Sequence, residues 1–362
     1  MISEREYVRW KVHMINPLEK AKISAKKLYG SSHDDPVKAS VIIVSWNCRA
    51  YLLKCLESIF RCTSMQCVEW IVVDNASKDG TTQEVAKKFP EVRLIANKEN
   101  IGFARANNMG IKMARGEYLF LVNPDVEFYD DCIGKLCHFM DKNPDVGICA
   151  PKILNTDGTI QHSCRELPSL RNNFCFAIGL HKLFPGKKWS SNELMSWFDH
   201  NSRKEVEALS GCFLVVRRSA IKKVGLLDER FFMYSEDVDW CKRFRDRGWR
   251  IVFVPEAKAV HHGGKSAETI SVESATAKTK AKIQYWRKHH GPAWGTFIKK
   301  IIFVRHVRVL IHAILLILCG KRQPAFLKLK ISVASIKYMI WPEYKAAKFV
   351  DSQNLIKGNK SR

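Results

Sequence analysis

The chain's clearest pattern is a repeated exchange between short apolar runs and helically spaced apolar positions. Val41 to Val44 is a continuous apolar run, and Leu52, Leu53, Leu56, Ile59 and Phe60 follow at helical spacing, which predicts a strand and then a helix. Trp70 to Val73 reads as the next strand and Thr81 to Phe89 as a helix. Val92 to Ile95, Phe103 to Ala114 and Tyr118 to Val122 continue as strand, helix and strand. Strands that are apolar on both faces, alternating with helices, predict an α/β fold with a mostly parallel sheet flanked by helices. Residues 155–208 are punctuated by Gly158, Pro168, Gly179, Pro185 and Gly186 and read as loops that could wall an acceptor site. Cys212 to Val216 resumes the sheet, Val238 to Arg247 reads as a helix and Arg250 to Val254 as a further strand. Residues 1–38 show no sustained period and read as an irregular or partly helical extension without chemistry.

The tail changes the picture. Of the formal charge of +24, residues 278–362 contribute +17, from 19 basic and 2 acidic side chains. Within it, Ile311 to Cys319 and Ile331 to Trp341 are apolar but interrupted or flanked by Lys, Arg and His, short of the roughly 20 apolar residues that span a bilayer. Helices lying in the membrane interface fit this pattern, with basic side chains reaching anionic headgroups; a hairpin packed on the body is the competing reading. The expected organisation is therefore 1–38 extension, 39–290 catalytic domain and 291–362 membrane-associating region. A charged N-terminus and twelve cysteines without CxxC spacing point to reduced thiols and a cytoplasmic setting. Cys48, Cys55 and Cys62, seven apart, read as one buried helix stripe. In the same setting the sequon at Asn75 stays unglycosylated.

In doubly wound sheets ligands lie beyond the carboxyl ends of the strands, so the polar residues closing each apolar run are the candidates. These are Ser45-Trp46-Asn47, Asp74-Asn75-Ala76-Ser77 and Asn123-Pro124-Asp125. Asn100-Ile101-Gly102 enters a helix carrying Arg105 and Asn107, an arrangement suited to phosphate. Asp125, behind a stiffening proline, suits one divalent cation, and His261 is a plausible second ligand, favouring Mn²⁺ over Mg²⁺. His262 reads as an ordinary solvated histidine. Glu236 and Asp237 sit at a helix start, where capping is the plain alternative.

Taken together, the blocks Val41 to Asn47, Val72 to Ser77, Asn100 to Asn108, Asn123-Pro124-Asp125, Gly211-Cys212, and Leu227 to Phe232 through Glu236-Asp237 to His261 resemble the family-2 glycosyltransferases of the GT-A fold. Within them the chain is similar to the bacterial rhamnosyltransferase-like group. The resemblance, over roughly 39–290, implies a nucleotide-sugar donor bound by Asp74, Asn75, Asn100, Gly102, Arg105, Asn107 and Asn123. It implies a metal, Mn²⁺ or Mg²⁺, at Asp125 and His261, catalysis by Asp237 as base, and Glu236 as its supporting carboxylate. Asn123 stands where the fuller DxD motif has an aspartate. dTDP-rhamnose as donor, a lipid-linked glycan as acceptor and a peripheral place on the cytoplasmic face of the inner membrane are the further expectations. A dehydrogenase lacks its GxGxxG turn, since Ser45-Trp46-Asn47-Cys48-Arg49 follows the first strand. A basic nucleic-acid- or membrane-surface-binding protein without transferase activity, the alternative reading, would explain the basic tail but not acids gathered at strand ends; no nucleic-acid partner is expected.

Overall fold

The computed structural model describes residues 36–184, 187–189, 193–263, 272–319 and 322–340. The reading of 1–38 therefore lies outside the described residues except for its last three positions, as do Pro185 and Gly186.

The first half builds as its pattern dictates. Strands β1 (Ala39–Ser45), β2 (Val68–Asp74), β3 (Arg93–Ala96) and β4 (Tyr118–Val122) are parallel, in the order β3-β2-β1-β4. Helices α1 (Arg49–Cys62), α2 (Thr81–Lys88) and α3 (Phe103–Met113) connect them. Alternation along β1 explains the continuous apolar run: Val41 and Ile43 enter one core, Ile42 and Val44 the core on the opposite face. Cys55 and Cys62 on α1 pack beneath the β4–β5 corner, their thiols directed to the carbonyls of Asn123 and Phe128, which agrees with the reading of a helix stripe.

Beyond β4 the sheet is mixed. Strand β5 (Val126–Phe128), helix α4 (Cys132–Lys142) and strand β6 (Val146–Leu154) come next. The short pieces β7 (Cys164–Arg165), α5 (Leu170–Ile178), α6 (Leu180–Leu183), β8 (Lys204–Glu205) and β9 (Ala208–Leu209) occupy the region expected to be loops. Strand β10 (Phe213–Arg217) runs antiparallel to both β4 and β6, so antiparallel pairs enter the sheet beyond the four parallel strands. After α7 (Arg218–Val224) and α8 (Glu236–Arg245), β11 (Arg250–His261) pairs parallel with β6 and antiparallel with β5. It is longer than the Arg250–Val254 run suggests. Its register slips between Val254 and Lys258, where Pro255 stands, and the strand then resumes as far as His261.

Three helices close the described chain: α9 (Val272–His290), α10 (Pro292–Leu318) and α11 (Arg322–Ile340). Tyr285 and Trp286 of α9, Ile298 and Ile302 of α10 and Met339 of α11 share a core with Phe231 and Val238 of the α/β body. Helix α10 takes in far more than the Ile311 to Cys319 stretch, and its 27 residues are long and apolar enough to cross a membrane. That corrects the expectation from interrupted runs. Arg305 and Arg308 lie inside the helix but turn toward α5, over the Phe176 ring and onto the Ala177 carbonyl, so they do not break its outward apolar face.

Candidate active site

Asn123-Pro124-Asp125 forms the turn between β4 and β5. The Asn123 amide donates to the Cys212 carbonyl at 2.9 Å, and the His262 amide donates to the Asp125 carbonyl at 2.9 Å. The second bond extends the β5–β11 ladder and brings the end of β11 beside the turn. As a result His261 Nε2 stands 3.1 Å from Asp125 Oδ1, although 136 positions separate them in the sequence. Asp125 is nearly buried, at 8% exposure.

The ring of His261 is oriented from behind. Its Nδ1 lies 2.6 Å from Gln161 Oε1, and Gln161 Nε2 donates to Asn155 Oδ1 at 2.9 Å. With its amide nitrogen committed to Asn155, Gln161 presents oxygen, so Nδ1 carries the proton and Nε2 offers its lone pair toward Asp125. Nothing in the sequence pattern singled out Gln161. One carboxylate and one oriented imidazole fit a divalent cation that takes its remaining oxygens from phosphate and water. Among the described residues no cluster of three or more His, Cys, Asp or Glu forms a closed metal cage. His262 is not a solvated bystander: its Nε2 lies 2.7 Å from Glu127 Oε1 and its ring packs on Tyr51.

Asp237 lies in the first turn of α8, after two consecutive residues, Tyr234 and Ser235, with φ of +72° and +65°. Its Oδ2 accepts the Gly211 amide at 2.8 Å and its Oδ1 the Val238 amide at 2.9 Å. A Cβ at Gly211 would sit 3.2 Å from that of Asp237, so the approach requires a residue of this size. Gly211 adjoins Cys212, which bonds Asn123; the two acids are thereby joined by one short run of backbone. The buried Cys212 thiol feels both. Burial chiefly pushes its pKa up to about 11, and the charges of Asp125 and Asp237 add to that rise.

Glu236 faces the other way. It is 5% exposed, its Oε2 is sealed from solvent without a partner, and burial followed by the charge of Asp237 raises its pKa well above the usual carboxylate range. Its carboxyl is sealed in beside Asp237, whose charge it feels.

The expected donor-binding residues mostly hold the loops together. Asp74 is 1% exposed and accepts from the Ser45 hydroxyl and the Ser77 amide. Asn75 links the Gly102 carbonyl to Asn97, and Asn100 Oδ1 accepts the Gly102 amide. Gly102, at φ +88°, carries no Cβ because Phe232 lies 2.7 Å from where one would be. Arg105 pairs with Glu229 at 3.0 Å, and Asn107 is buried and bonds the Phe103 carbonyl of its own helix. Asn123 Nδ2 is 3.5 Å from His261 Nε2, beside the Asp125–His261 pair. Structure thus groups Asn123, Asp125, His261 and Asp237 at one place, and Asp74, Asn75, Asn100, Gly102 and Arg105 along the adjoining strand ends, with Asn107 turned into the body.

The model of the family described as "Glycosyl transferase family 2" matches residues 40–225, more than half of the chain. The chain belongs to that family. It is a nucleotide-sugar-dependent glycosyltransferase of polysaccharide synthesis, and the reading as a basic nucleic-acid-binding protein without transferase activity falls away. Among curated relatives, the N-acetylglucosaminyl-diphospho-decaprenol L-rhamnosyltransferase of Mycobacterium tuberculosis is 32% identical over 265 residues, covering 70% of this transferase and 85% of that protein. The dTDP-rhamnosyl transferase RfbF of Shigella flexneri is 26% identical over 298 residues, covering 79% and 90%. Among solved structures, the mannosyltransferase PcManGT of Pyrobaculum calidifontis, in complex with GDP-Man and Mn²⁺, has a TM-score of 0.53 at 15% identity, covering 90% of this chain and 95% of that one; it supports the fold.

Proposed function

We propose that this transferase moves rhamnose, with inversion, from a nucleoside-diphosphate donor to a hydroxyl of a lipid-linked glycan at the cytoplasmic face of the inner membrane. The observation that carries the reading is the junction of Asp125 and His261, 3.1 Å apart, with Asp237 through Asn123, Cys212 and Gly211. The names of its rhamnosyltransferase relatives support the donor and the lipid-linked acceptor.

In this reaction Asp237 takes the proton from the acceptor hydroxyl while that oxygen bonds to the anomeric carbon. The bond from that carbon to the diphosphate oxygen breaks, and the nucleoside diphosphate leaves with the electron pair. Asp125 and His261 would hold Mn²⁺ or Mg²⁺, which offsets the negative charge growing on the departing diphosphate. Gly211 and Val238 amides keep the Asp237 carboxylate in place, and Gln161 keeps His261 in the tautomer that can ligate. No second nucleophilic carboxylate is needed, consistent with the inward-facing Glu236.

A panel of nucleotide sugars, scored by thermal stabilisation with Mn²⁺ present, tests the donor assignment. Asp237→Asn should keep donor binding and lose roughly 10²–10⁴-fold in transfer. Asp125→Ala should lose the metal-dependent part of donor affinity. Unchanged turnover in Asp237→Asn removes the base assignment, and absence of stabilisation by any deoxyhexose nucleotide removes rhamnose.

A further inference from the structure

One cation near Asp237 forms no ion pair among the described residues. Arg165, at the end of β7, has its Nε closed off from solvent and without a hydrogen-bond partner among the described residues. Strand β7 pairs with β9, and β9 leads through Ser210 directly into Gly211, the residue that holds Asp237. The charge of Arg165 acts on Glu236, Cys212 and Cys241, the groups around Asp237, and on Lys278 of α9. Lys278 in turn sits over the Tyr234 ring at 4.9 Å, three residues before Asp237. Arg165 and Lys278 thus flank the segments that hold Asp237, one from β7 by way of β9 and the other from α9 by way of Tyr234.

The neighbouring carboxylates are already committed. Glu166 pairs with Arg171, Glu193 with Lys282 one turn along α9, and Glu207 with Arg245. Glu236, whose pKa is raised by burial and by Asp237, forms no ion pair with either cation among the described residues. Neither Arg165 nor Lys278 has a carboxylate within ion-pair distance among the described residues. Burial of part of its stem and repulsion by Arg165 both lower the pKa of Lys278. Partly buried cations without an ion-pair partner are costly, and an anionic ligand relieves that cost.

We propose that Arg165 and Lys278 form an anion subsite on the acceptor side of Asp237 and bind the diphosphate through which the acceptor glycan is joined to its lipid. The subsite is separate from the cation-assisted place of the donor diphosphate at Asp125 and His261. It rests on the lipid-linked acceptor reading above and adds to it how the acceptor is recognised: by two phosphates, with the glycan hydroxyl reaching Asp237. Helix α9 carries Lys278 and leads into the apolar helix α10, so the lipid has an apolar path away from the two cations.

The test compares binding of farnesyl diphosphate and farnesol to the full chain in detergent, with wild type, Arg165→Gln, Lys278→Gln, Arg165→Lys and Asp125→Ala. Wild type should bind the diphosphate at least tenfold more tightly than the alcohol. Arg165→Gln and Lys278→Gln should each cut that preference severalfold, Arg165→Lys should recover part of it, and Asp125→Ala should keep it. Equal affinity for the two probes in wild type overturns the subsite, as does a preference that survives both Gln variants but vanishes in Asp125→Ala. Should Arg165→Gln fail to fold, Lys278→Gln, at an accessible position, decides alone. Nucleotide-sugar stabilisation of the same proteins reports separately on the donor reading: its absence in wild type sinks the proposed reaction, whereas its presence without diphosphate preference sinks only the subsite.

Discussion

Glu236 shows how one residue's surroundings separate it from its neighbour in the chain. Burial and the adjacent Asp237 raise its pKa, so the folded protein bears a cost that is absent below the unfolded carboxylate pKa and grows as pH rises toward the folded value. Glu236→Gln removes the ionisation. The variant should be more stable than wild type at pH 8, and the gap should close near pH 4. Denaturant titration at the two pH values checks both the sign and the closing. A constant difference across pH would mean that shape, and not charge, decides. The sequence could pair Glu236 with Asp237 but could not say which one turns inward, because both occupy the first turn of α8 and neither has a patterned apolar neighbour to fix its direction. The same limit applies to Gln161 and Arg165. Each acquires its role from residues far away in the chain, at His261 and at Gly211, and both lie where hydrophobic periodicity is weak.

At the scale of elements, the strand ends were legible because a buried parallel strand must stop where the polar residues begin. Asp74, Asp125 and the β4 turn follow from that rule. What did not follow was the second half of the sheet: β6 contains Gly147, Pro151 and Lys152 within one strand, and β11 passes through Pro255, so neither keeps a clean period. The loop between Asn100 and Phe103 has a sharper signature. Gly102 holds φ +88° and takes Phe232 against its bare Cα, while the Phe103 amide donates to the Phe232 carbonyl at 2.7 Å. This contact ties the entry of α3 to the segment leading into Asp237. Gly102→Ala should cost about 2 kcal/mol, from the left-handed backbone and the clash together, and should weaken donor binding as the loop moves. Chemical denaturation and nucleotide-sugar titration measure the two effects; a variant as stable as wild type would show that the loop yields without strain.

For the whole molecule, the proposed membrane seat rests on which face each helix presents. Arg305 and Arg308 turn to α5, and farther along the helix Ile311, Leu315 and Leu318 are 54%, 53% and 76% exposed. Phe174 and Ile178 of α5 also reach solvent. Cutting the chain inside α10 would remove Ile298 and Ile302 from the shared core, so truncation confuses folding with membrane binding. The triple variant Ile311→Asp, Leu315→Asp, Leu318→Asp avoids that. Even at about 1.5 kcal/mol for each apolar side chain, its affinity for anionic vesicles should fall by more than 100-fold while its unfolding midpoint stays near wild type. Vesicle flotation of both proteins decides; equal flotation would place the contact elsewhere.

Asp239, fully buried two residues after Asp237, accepts His289 at 2.7 Å and Lys288 at 2.6 Å from the end of α9, and Arg243 at 2.9 Å from its own helix. The helix that carries Asp237 in its first turn is thus bolted to the one that feeds the apolar tail. Seated on a bilayer in the proposed way, such a protein works as a ruler: the height of its transfer point above the lipid is set by that joint, and glycans one sugar longer or shorter present their hydroxyls at the wrong level.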